Sequence, residues 1–245
     1  MEALPISPGK RSLRGFPAHL RPERRGLPLR AVLFDFDGTI LDTETPEFEE
    51  WRAAFRARGH DLTLEVWQHS VGTVGGYDPC AHLADLTGAP LDHDALRREV
   101  NARHQTRCEA QPLLPGVVDR VREARAAGLK TAVASSSLSS WVEGWLARHG
   151  IRDLFDAVCT RDQVRQVKPA PDLFLLAAAR LGVAPAQCLV FEDSPNGIRA
   201  ARAAGMRCVA IPNPLTRHLP LGEADLVVES LAAHSLAEIR KRLEE

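Results

Sequence analysis

The chain has 245 residues, of which 44% are hydrophobic and 26% are charged. This composition fits one large globular domain, or a domain with a smaller companion. Lysine and arginine number 31 and aspartate and glutamate 32, so the formal net charge of −1 gives no general attraction to nucleic acid or to an anionic membrane. No apolar run approaches the roughly 20 residues that span a bilayer. The five scattered cysteines lack zinc-site spacing and indicate the reduced thiols of a cytoplasmic protein.

Residues 1–29 differ from the rest of the chain. They are rich in proline and arginine and show no hydrophobic periodicity. We interpret them as a disordered, basic tail. A transit peptide is a weaker interpretation, because the segment contains Glu2 and Glu23 and little serine. A basic arm that binds an anionic partner is weaker still.

The next segment combines one strand with a long helical stretch. Residues 30–36 are apolar and end at Asp-Gly, which predicts a short buried strand. Phe48, Trp51 and Phe55 then recur at helical spacing. The stretches VWQHSVG, PCAHLADLTG and DHDALRREVNARHQTRCEA predict further helices. No strand pattern interrupts residues 45–111, so we predict an all-helical cap over this range.

After PLLPG at residues 112–116, strands and helices alternate. The predicted strands are LKTAVAS, AVCT, QCLVFED, MRCVAI and ADLVVES, and helical patterns separate them. Repeated βα units with continuous apolar strands predict a Rossmann-like α/β fold, with a parallel sheet of about five to six strands covered by helices on both faces. We therefore predict a core made of residues 30–44 and 112–245, with the cap inserted between the two parts.

Polar residues cluster where the predicted strands end, the edge at which open parallel sheets bind ligands. They are Asp35 and Asp37, the run Ser135, Ser136 and Ser137, Glu192 and Asp193, and Lys168 just before a helix. Each cluster alone has an ordinary explanation as a turn, a helix cap or a solvated lysine. Their common position at one edge favours a shared site.

The chemistry of this set is that of phosphoryl transfer. Crowded carboxylates require a cation, and all-oxygen ligands suit Mg²⁺. Serine hydroxyls and backbone N–H groups suit phosphate oxygens, and a lysine supplies countercharge. We expect the cation and Lys168 to lower the pKa values of the aspartates. Asp42 and Glu44 lie past the turn, and we do not group them with the catalytic pair.

Four motifs carry a resemblance to a known family. DFDGT at residues 35–39, Ser135 in VASSS, Lys168 in KPAPD and FEDSPNGI at residues 191–198 occur in this order. They resemble the motifs of the haloacid dehalogenase (HAD) superfamily of hydrolases over roughly residues 30–230. The chain looks most like the branch with a cap inserted after the first motif, similar to β-phosphoglucomutase-like phosphatases.

The resemblance implies a role for each motif residue. Asp35 is the nucleophile that forms an aspartyl-phosphate, and Asp37 is the general acid and base. The phosphate-binding set is Ser135, Ser136, Lys168, Gly38 and Thr39. The Mg²⁺ ligands are Asp35, the backbone carbonyl of Asp37, and Asp193, with Glu192 as an indirect or alternative ligand.

Related activities are separated by single features. Haloacid dehalogenases need neither a metal nor a proton donor equivalent to Asp37, and phosphonoacetaldehyde hydrolases need a cap lysine, which residues 45–110 lack. A phosphosugar mutase needs cap groups for a second phosphate. HSVGTVGGYDPCAHL contains no arginine, and we expect Arg97, Arg98, Arg103 and Arg107 to face solvent.

We therefore favour a phosphatase acting on a small phosphomonoester, such as a sugar phosphate, a polyol phosphate or a phosphoglycolate-like compound. A mutase is the alternative, and a nucleoside monophosphate substrate stays open. A non-catalytic HAD-like binding module is disfavoured because Asp35, Asp37, Lys168 and Asp193 are all present.

The cap is expected to select the substrate. Candidate contacts are Trp51, Trp67, His69, Tyr77 and His82, and we predict that the glycine-rich residues 72–77 face the site. We expect a monomer or weak dimer, with no nucleic-acid or membrane partner.

Overall fold

The computed structural model describes residues 27–244. Most of the predicted tail lies outside this range. Residues 27–29, which we had assigned to the tail, contact the core: the guanidinium of Arg207 donates to the carbonyl of Leu27 at 2.6 Å, and Leu29 is buried.

Within residues 27–244, six parallel strands form a single sheet in the order β3-β2-β1-β4-β5-β6. The strands are β1 (Ala31–Phe34), β2 (Lys130–Ala134), β3 (Ala157–Cys159), β4 (Cys188–Glu192), β5 (Arg207–Ala210) and β6 (Leu226–Val227). The first strand, β1, lies between β2 and β4, with Phe34 in register with Val133 and Phe191. The prediction of a parallel sheet of five to six strands is confirmed.

Helices flank the sheet and fill the segment between its first two strands. They are α1 (Glu44–Arg56), α2 (Leu64–Trp67), α3 (Pro79–Thr87), α4 (His93–Glu109), α5 (Val117–Ala126), α6 (Ser139–Arg148), α7 (Asp172–Leu181), α8 (Pro195–Ala203) and α9 (Leu236–Glu244). None of those within residues 27–244 has the length and apolar character needed to cross a membrane.

The side chains of β1 alternate between two apolar cores. Val32 and Phe34 pack into a cluster with α5, α6 and α9, whereas Ala31 and Leu33 pack into a cluster with α7 and α8. The sheet is therefore covered on both faces, which explains why its strands are apolar without alternation.

Helices α1 to α4 share a third apolar cluster. Trp51, Phe55, Leu83 and Val100 are buried in it, together with Leu215 from the segment after β5. These helices occupy the range that the sequence assigns to the cap, and the division of the chain into cap and core stays a prediction.

The helix predicted over VWQHSVG is shorter than expected. Helix α2 ends at Trp67, and turns and bends follow it up to residue 76. Gly72 and Gly75 adopt positive φ angles of 70° and 84°, a conformation that ends regular helix. The glycine-rich stretch therefore forms an irregular loop.

Replacing Phe34 by alanine should destabilise the fold without touching the polar sheet edge. Phe34 is fully buried, with its ring centroid 5.1 Å from that of Phe191. We expect the free energy of unfolding to fall by about 3–5 kcal/mol, the usual cost of such a cavity. Urea denaturation measures this, with Leu175→Ala on the exposed face of α7 as the control. Equal stability of the two variants would contradict the assignment of Phe34 to the core.

Candidate active site

Three carboxylates meet where β1 and β4 end. Asp35 follows β1, Glu192 is the last residue of β4, and Asp193 comes next. All three side chains are buried, and one oxygen atom from each lies within 4.8 Å of the others. The pairing of β1 with β4 thus brings together acids that are more than 150 positions apart in the sequence.

A buried lysine lies between two of these acids. The ammonium group of Lys168 donates to Asp35 and, at 2.7 Å, to Oε1 of Glu192. Its nitrogen also lies 5.0 Å from the ring centroid of Phe174. Burial alone would lower the pKa of Lys168, but the two carboxylates raise it above its usual range. Lys168 is therefore a permanent positive charge.

The carboxylate of Glu192 is already saturated with hydrogen bonds. Its second oxygen, Oε2, accepts from the N–H groups of Asp193 and Ser194 at 2.9 and 2.8 Å, and from the Ser194 hydroxyl at 3.0 Å. With Lys168 on Oε1, four donors hold the side chain. This arrangement favours Glu192 as an anchor for Lys168 and for the start of α8 rather than as a direct metal ligand.

Burial makes the ionised forms of the other two carboxylates, Asp35 and Asp193, costly. Burial raises the pKa of Asp35 to about 8, although Lys168 acts in the opposite direction. Burial also raises the pKa of Asp193 well above its usual value, and neighbouring carboxylates add to the effect. Lys168 alone is therefore insufficient to lower these pKa values, and the expected combined effect of Lys168 and a cation stays a prediction. The donor set, all oxygen and rich in negative charge, fits a hard divalent cation.

The side chain of Asp193 is fixed from the opposite side. Nδ2 of Asn213 donates to Oδ2 of Asp193 at 2.8 Å, and the hydroxyl of Thr39 lies 3.5 Å from Oδ1. Gly38 adopts φ 79°, and a Cβ atom there would overlap Asp193 and Asn213. The glycine of the DFDGT motif is thus required by close packing against Asp193. Asn213 carried no motif signal and was missed in the sequence.

Four donors orient the carboxylate of Asp37. Oδ1 accepts from the Thr43 hydroxyl at 2.7 Å and from the Trp141 indole N–H at 2.9 Å. Oδ2 accepts from the hydroxyls of Ser135 and Ser137 at 3.1 and 2.6 Å. The sequence placed Ser135 and Ser137 at this edge of the sheet but did not indicate Thr43 or Trp141. Trp141 gives no signal because its contact depends on where α6 lies.

A loop from the helical segment contacts the sheet edge. The Ser136 hydroxyl donates to the carbonyl of Gly72 at 3.3 Å, and the Thr73 hydroxyl donates to the carbonyl of Lys168 at 2.5 Å. The Asn196 amide donates to the carbonyl of Val71 at 2.9 Å. Residues 71–73 therefore lie directly over the carboxylate cluster.

A cavity of about 850 Å³ opens between the sheet edge and the helical segment. Asp35 and Asp37 lie in its wall, as do Trp51, Trp67 and Tyr77 among the predicted contacts. Of residues 72–77, all but Gly76 line it, as the sequence analysis anticipated. His69 and His82 are not among the lining residues, and the ring of His82 is hydrogen-bonded to Tyr77 at 2.6 Å.

One of the arginines expected to face solvent also lines the cavity. Arg97 forms an ion pair with Asp78 at 2.5 Å in the cavity wall, while 41% of its side chain is exposed to solvent. Arg103 and Arg107 instead pair with Glu50 on the neighbouring helix α1. Arg97 and Arg103 lie on different faces of helix α4, so Arg97 reaches the cavity while Arg103 lies beside α1.

Two acids that were not predicted as site residues also belong to the cavity wall. Glu44 and Glu47, in the first turn of α1, lie beside Asp37. Asp42, by contrast, accepts from the N–H of Thr45 in the first turn of α1 at 3.1 Å. The spacing of these acids along the chain does not separate the two roles.

The comparisons with known proteins agree with this geometry. A family model for haloacid dehalogenase-like hydrolases matches residues 29–205. The YhcW protein of Bacillus subtilis (strain 168), which is named as a phosphatase, is 44% identical over 209 residues, covering 85% of this chain and 95% of its own. The fructose-1-phosphate phosphatase YqaB of Escherichia coli (strain K12) is 40% identical over 181 residues, covering 74% and 95%.

A solved structure agrees as well. The crystal structure of CbbY from Rhodobacter sphaeroides in complex with phosphate superposes with a TM-score of 0.70 at 33% sequence identity, covering 86% of this chain and 99% of that chain. The chain therefore belongs to the haloacid dehalogenase-like hydrolase family. Within that family it is an enzyme of the phosphatase class, as its motifs predicted.

Substituting Gly197 tests whether the carboxyl group of Glu192 packs closely against the start of α8. A Cβ atom at Gly197 would overlap the Glu192 carboxyl group, which four donors hold in place. We expect Gly197→Ala to lower the free energy of unfolding by about 1–3 kcal/mol, as overpacking does. Gly144→Ala in α6 is the matched control, because a Cβ there meets no atom within 4 Å. Thermal denaturation compares the two, and a Gly197→Ala variant as stable as the control would refute the close contact.

Proposed function

We propose that this phosphatase hydrolyses a small phosphomonoester through a covalent aspartyl-phosphate on Asp35. One observation carries the proposal: Asp35 lies in the cavity wall, bonded to the buried ammonium group of Lys168 and close to the four-fold hydrogen-bonded Asp37. A nucleophile, a fixed positive charge and an oriented carboxyl group are what two-step phosphoryl transfer requires.

In the first step, an oxygen of Asp35 attacks phosphorus and the bond to the ester oxygen breaks. Asp37 gives a proton to that leaving oxygen. In the second step, Asp37 takes a proton from a water molecule that attacks the phosphoryl group, which releases phosphate and restores Asp35. The donors Thr43 and Trp141 keep the carboxyl group of Asp37 in one orientation throughout.

The phosphoryl group would be held by Lys168, by Ser135 and Ser136, and by the backbone of Gly38 and Thr39. Lys168 supports this role because it is the cation bonded to Asp35 itself. The serines follow β2 at the same edge of the sheet. These groups would offset the negative charge that develops on the phosphoryl oxygens.

We further propose Mg²⁺ as the cofactor. Asp35, Asp193 and the backbone carbonyl of Asp37 would hold it, and the buried acidic cluster supports this assignment. Bound there, Mg²⁺ supplies positive charge at the phosphoryl oxygens. Glu192 is the least suited of the four predicted ligands, since its two oxygens already accept four hydrogen bonds.

The substrate is proposed to be a sugar or polyol phosphate. The cavity volume of about 850 Å³ suits a small metabolite. The name of the YqaB relative, a fructose-1-phosphate phosphatase, points the same way. A cytoplasmic location, supported by five free and buried cysteines, and a monomeric or weakly dimeric state complete the proposal.

A phosphosugar mutase is the second candidate. A mutase was disfavoured because the arginines of the helical segment were expected to face solvent, yet Arg97 lines the cavity wall. Arg161, from the other side, lines it too. Two guanidinium groups could bind a second phosphate, so assays should include a hexose 1-phosphate and monitor both isomerisation and phosphate release.

Asp35→Asn should abolish turnover. The amide is a poor nucleophile, so we expect kcat for p-nitrophenyl phosphate with Mg²⁺ to fall about a thousandfold or more. The matched control is Asp85→Asn, an exposed aspartate on α3 outside the cavity lining. Asp35→Asn activity equal to that of the control would exclude Asp35 as the nucleophile.

Activity should depend on a divalent cation. We expect excess EDTA to stop phosphate release from p-nitrophenyl phosphate and added Mg²⁺ to restore it, because the acidic cluster lacks sufficient countercharge. Circular dichroism in EDTA provides the control that the fold persists. Full turnover in excess EDTA would rule out the proposed metal site.

A further inference from the structure

The acids Glu44 and Glu47 have no assigned role in the proposed reaction. Both belong to the first turn of α1 and line the cavity next to Asp37. Glu44 is 8% exposed, and its Oε1 accepts from the N–H of Gly72 at 2.9 Å. Its other oxygen, Oε2, is buried and has no hydrogen-bond partner within residues 27–244.

A carboxylate oxygen without donors is costly in a desolvated site. An unsatisfied buried acceptor is destabilising, and more so when it is charged. Burial raises the pKa of Glu44 well above its usual value. It also raises the pKa of Glu47 to about 7, with Asp37 adding to the effect. The free oxygen of Glu44 therefore lacks a donor that would stabilise its ionised form, and Glu47 lies beside it on the same cavity wall.

The contacts within residues 27–244 supply no hydrogen-bond donor to the free oxygen of Glu44. At the start of α1, Asp42 already accepts from the N–H of Thr45. No ion pair joins Glu44 or Glu47 to a basic side chain in the described part of the chain, whereas the neighbouring Glu49 and Glu50 pair with arginines on α4. The missing donors are thus expected from whatever fills the cavity.

We propose that Glu44 and Glu47 accept hydrogen bonds from hydroxyl groups on the leaving group of the substrate. This inference rests on the proposed phosphatase function. It narrows the substrates to polyhydroxylated phosphomonoesters and rejects phosphorylated carboxylic acids such as 2-phosphoglycolate. Glu44 and Glu47 are then specificity-determining residues, distinct from Asp35 and Asp37.

The preference for hydroxylated substrates over phosphorylated carboxylic acids follows from their hydrogen-bond donors and their charge. Hydroxyl groups bring donors that satisfy the free oxygen of Glu44, and a sugar or polyol carries several of them. An ionised carboxylate brings only acceptors and adds a negative charge to a wall that already contains Asp35, Asp37, Glu44 and Glu47. A site built to bind hydroxyl groups discriminates strongly against an analogue that lacks them.

The test compares kcat/KM for sorbitol 6-phosphate, fructose 1-phosphate and 2-phosphoglycolate, all with Mg²⁺. For the wild-type protein we expect at least one hydroxylated substrate to exceed 2-phosphoglycolate by about 100-fold or more. Glu47→Gln and Glu44→Gln should each reduce this ratio by about tenfold, since the amide removes negative charge and adds a donor. Glu65→Gln, on the exposed side of α2, is the matched control and should keep the wild-type ratio.

The outcomes separate the inference from the function on which it rests. Equal wild-type kcat/KM for 2-phosphoglycolate and the hydroxylated substrates would overturn the inference while leaving the phosphatase intact. An unchanged ratio in both variants, with only the Mg²⁺ concentration for half-maximal rate altered, would assign the two acids to the metal and also overturn it. Absence of phosphate release from p-nitrophenyl phosphate by both wild type and Glu65→Gln would instead refute the phosphatase function.

Discussion

Three buried carboxylates share one buried lysine at the end of the two central strands, and the rest of the site depends on this imbalance of charge. Burying an unpaired charge costs several kcal/mol, so such a cluster persists only where other groups compensate it. Lys168 bonds to Asp35 and Glu192, and backbone N–H groups complete the shell of Glu192. Asp193 obtains its donor from Asn213. The remaining negative charge, on Asp35 and Asp193, is the part that a cation would balance.

The local sequence around the cluster follows from the need to pack these groups closely. Gly197 leaves room for the Glu192 carboxyl group, and Gly38 leaves room for Asp193 and Asn213. Gly72 contacts Ser194 in the same way and brings residues 71–73 over the cluster. Three glycines from separate segments therefore serve one purpose, which is to let backbone approach a desolvated, charged centre.

The sequence predicted well those features that depend on local pattern. Alternation of apolar strands and helices indicated the parallel sheet, and the carboxyl-end position of Asp35, Lys168 and Asp193 indicated that they meet. It failed where the answer depends on how elements pack. Trp141 reaches Asp37 only because α6 lies against that edge, and neither Glu47 nor Arg97 could be assigned to the cavity before α1 and α4 were oriented.

Calorimetric titration of Mg²⁺ into the apo protein tests most directly whether the excess of buried negative charge forms a cation site. Asp193→Asn is the informative variant, because it removes one negative charge but leaves the Lys168 pairs in place. The account predicts saturable binding of one Mg²⁺ to the wild-type protein and a loss of affinity of about tenfold or more in the variant. Equal affinity of the two proteins, or no binding to the wild type, would contradict it.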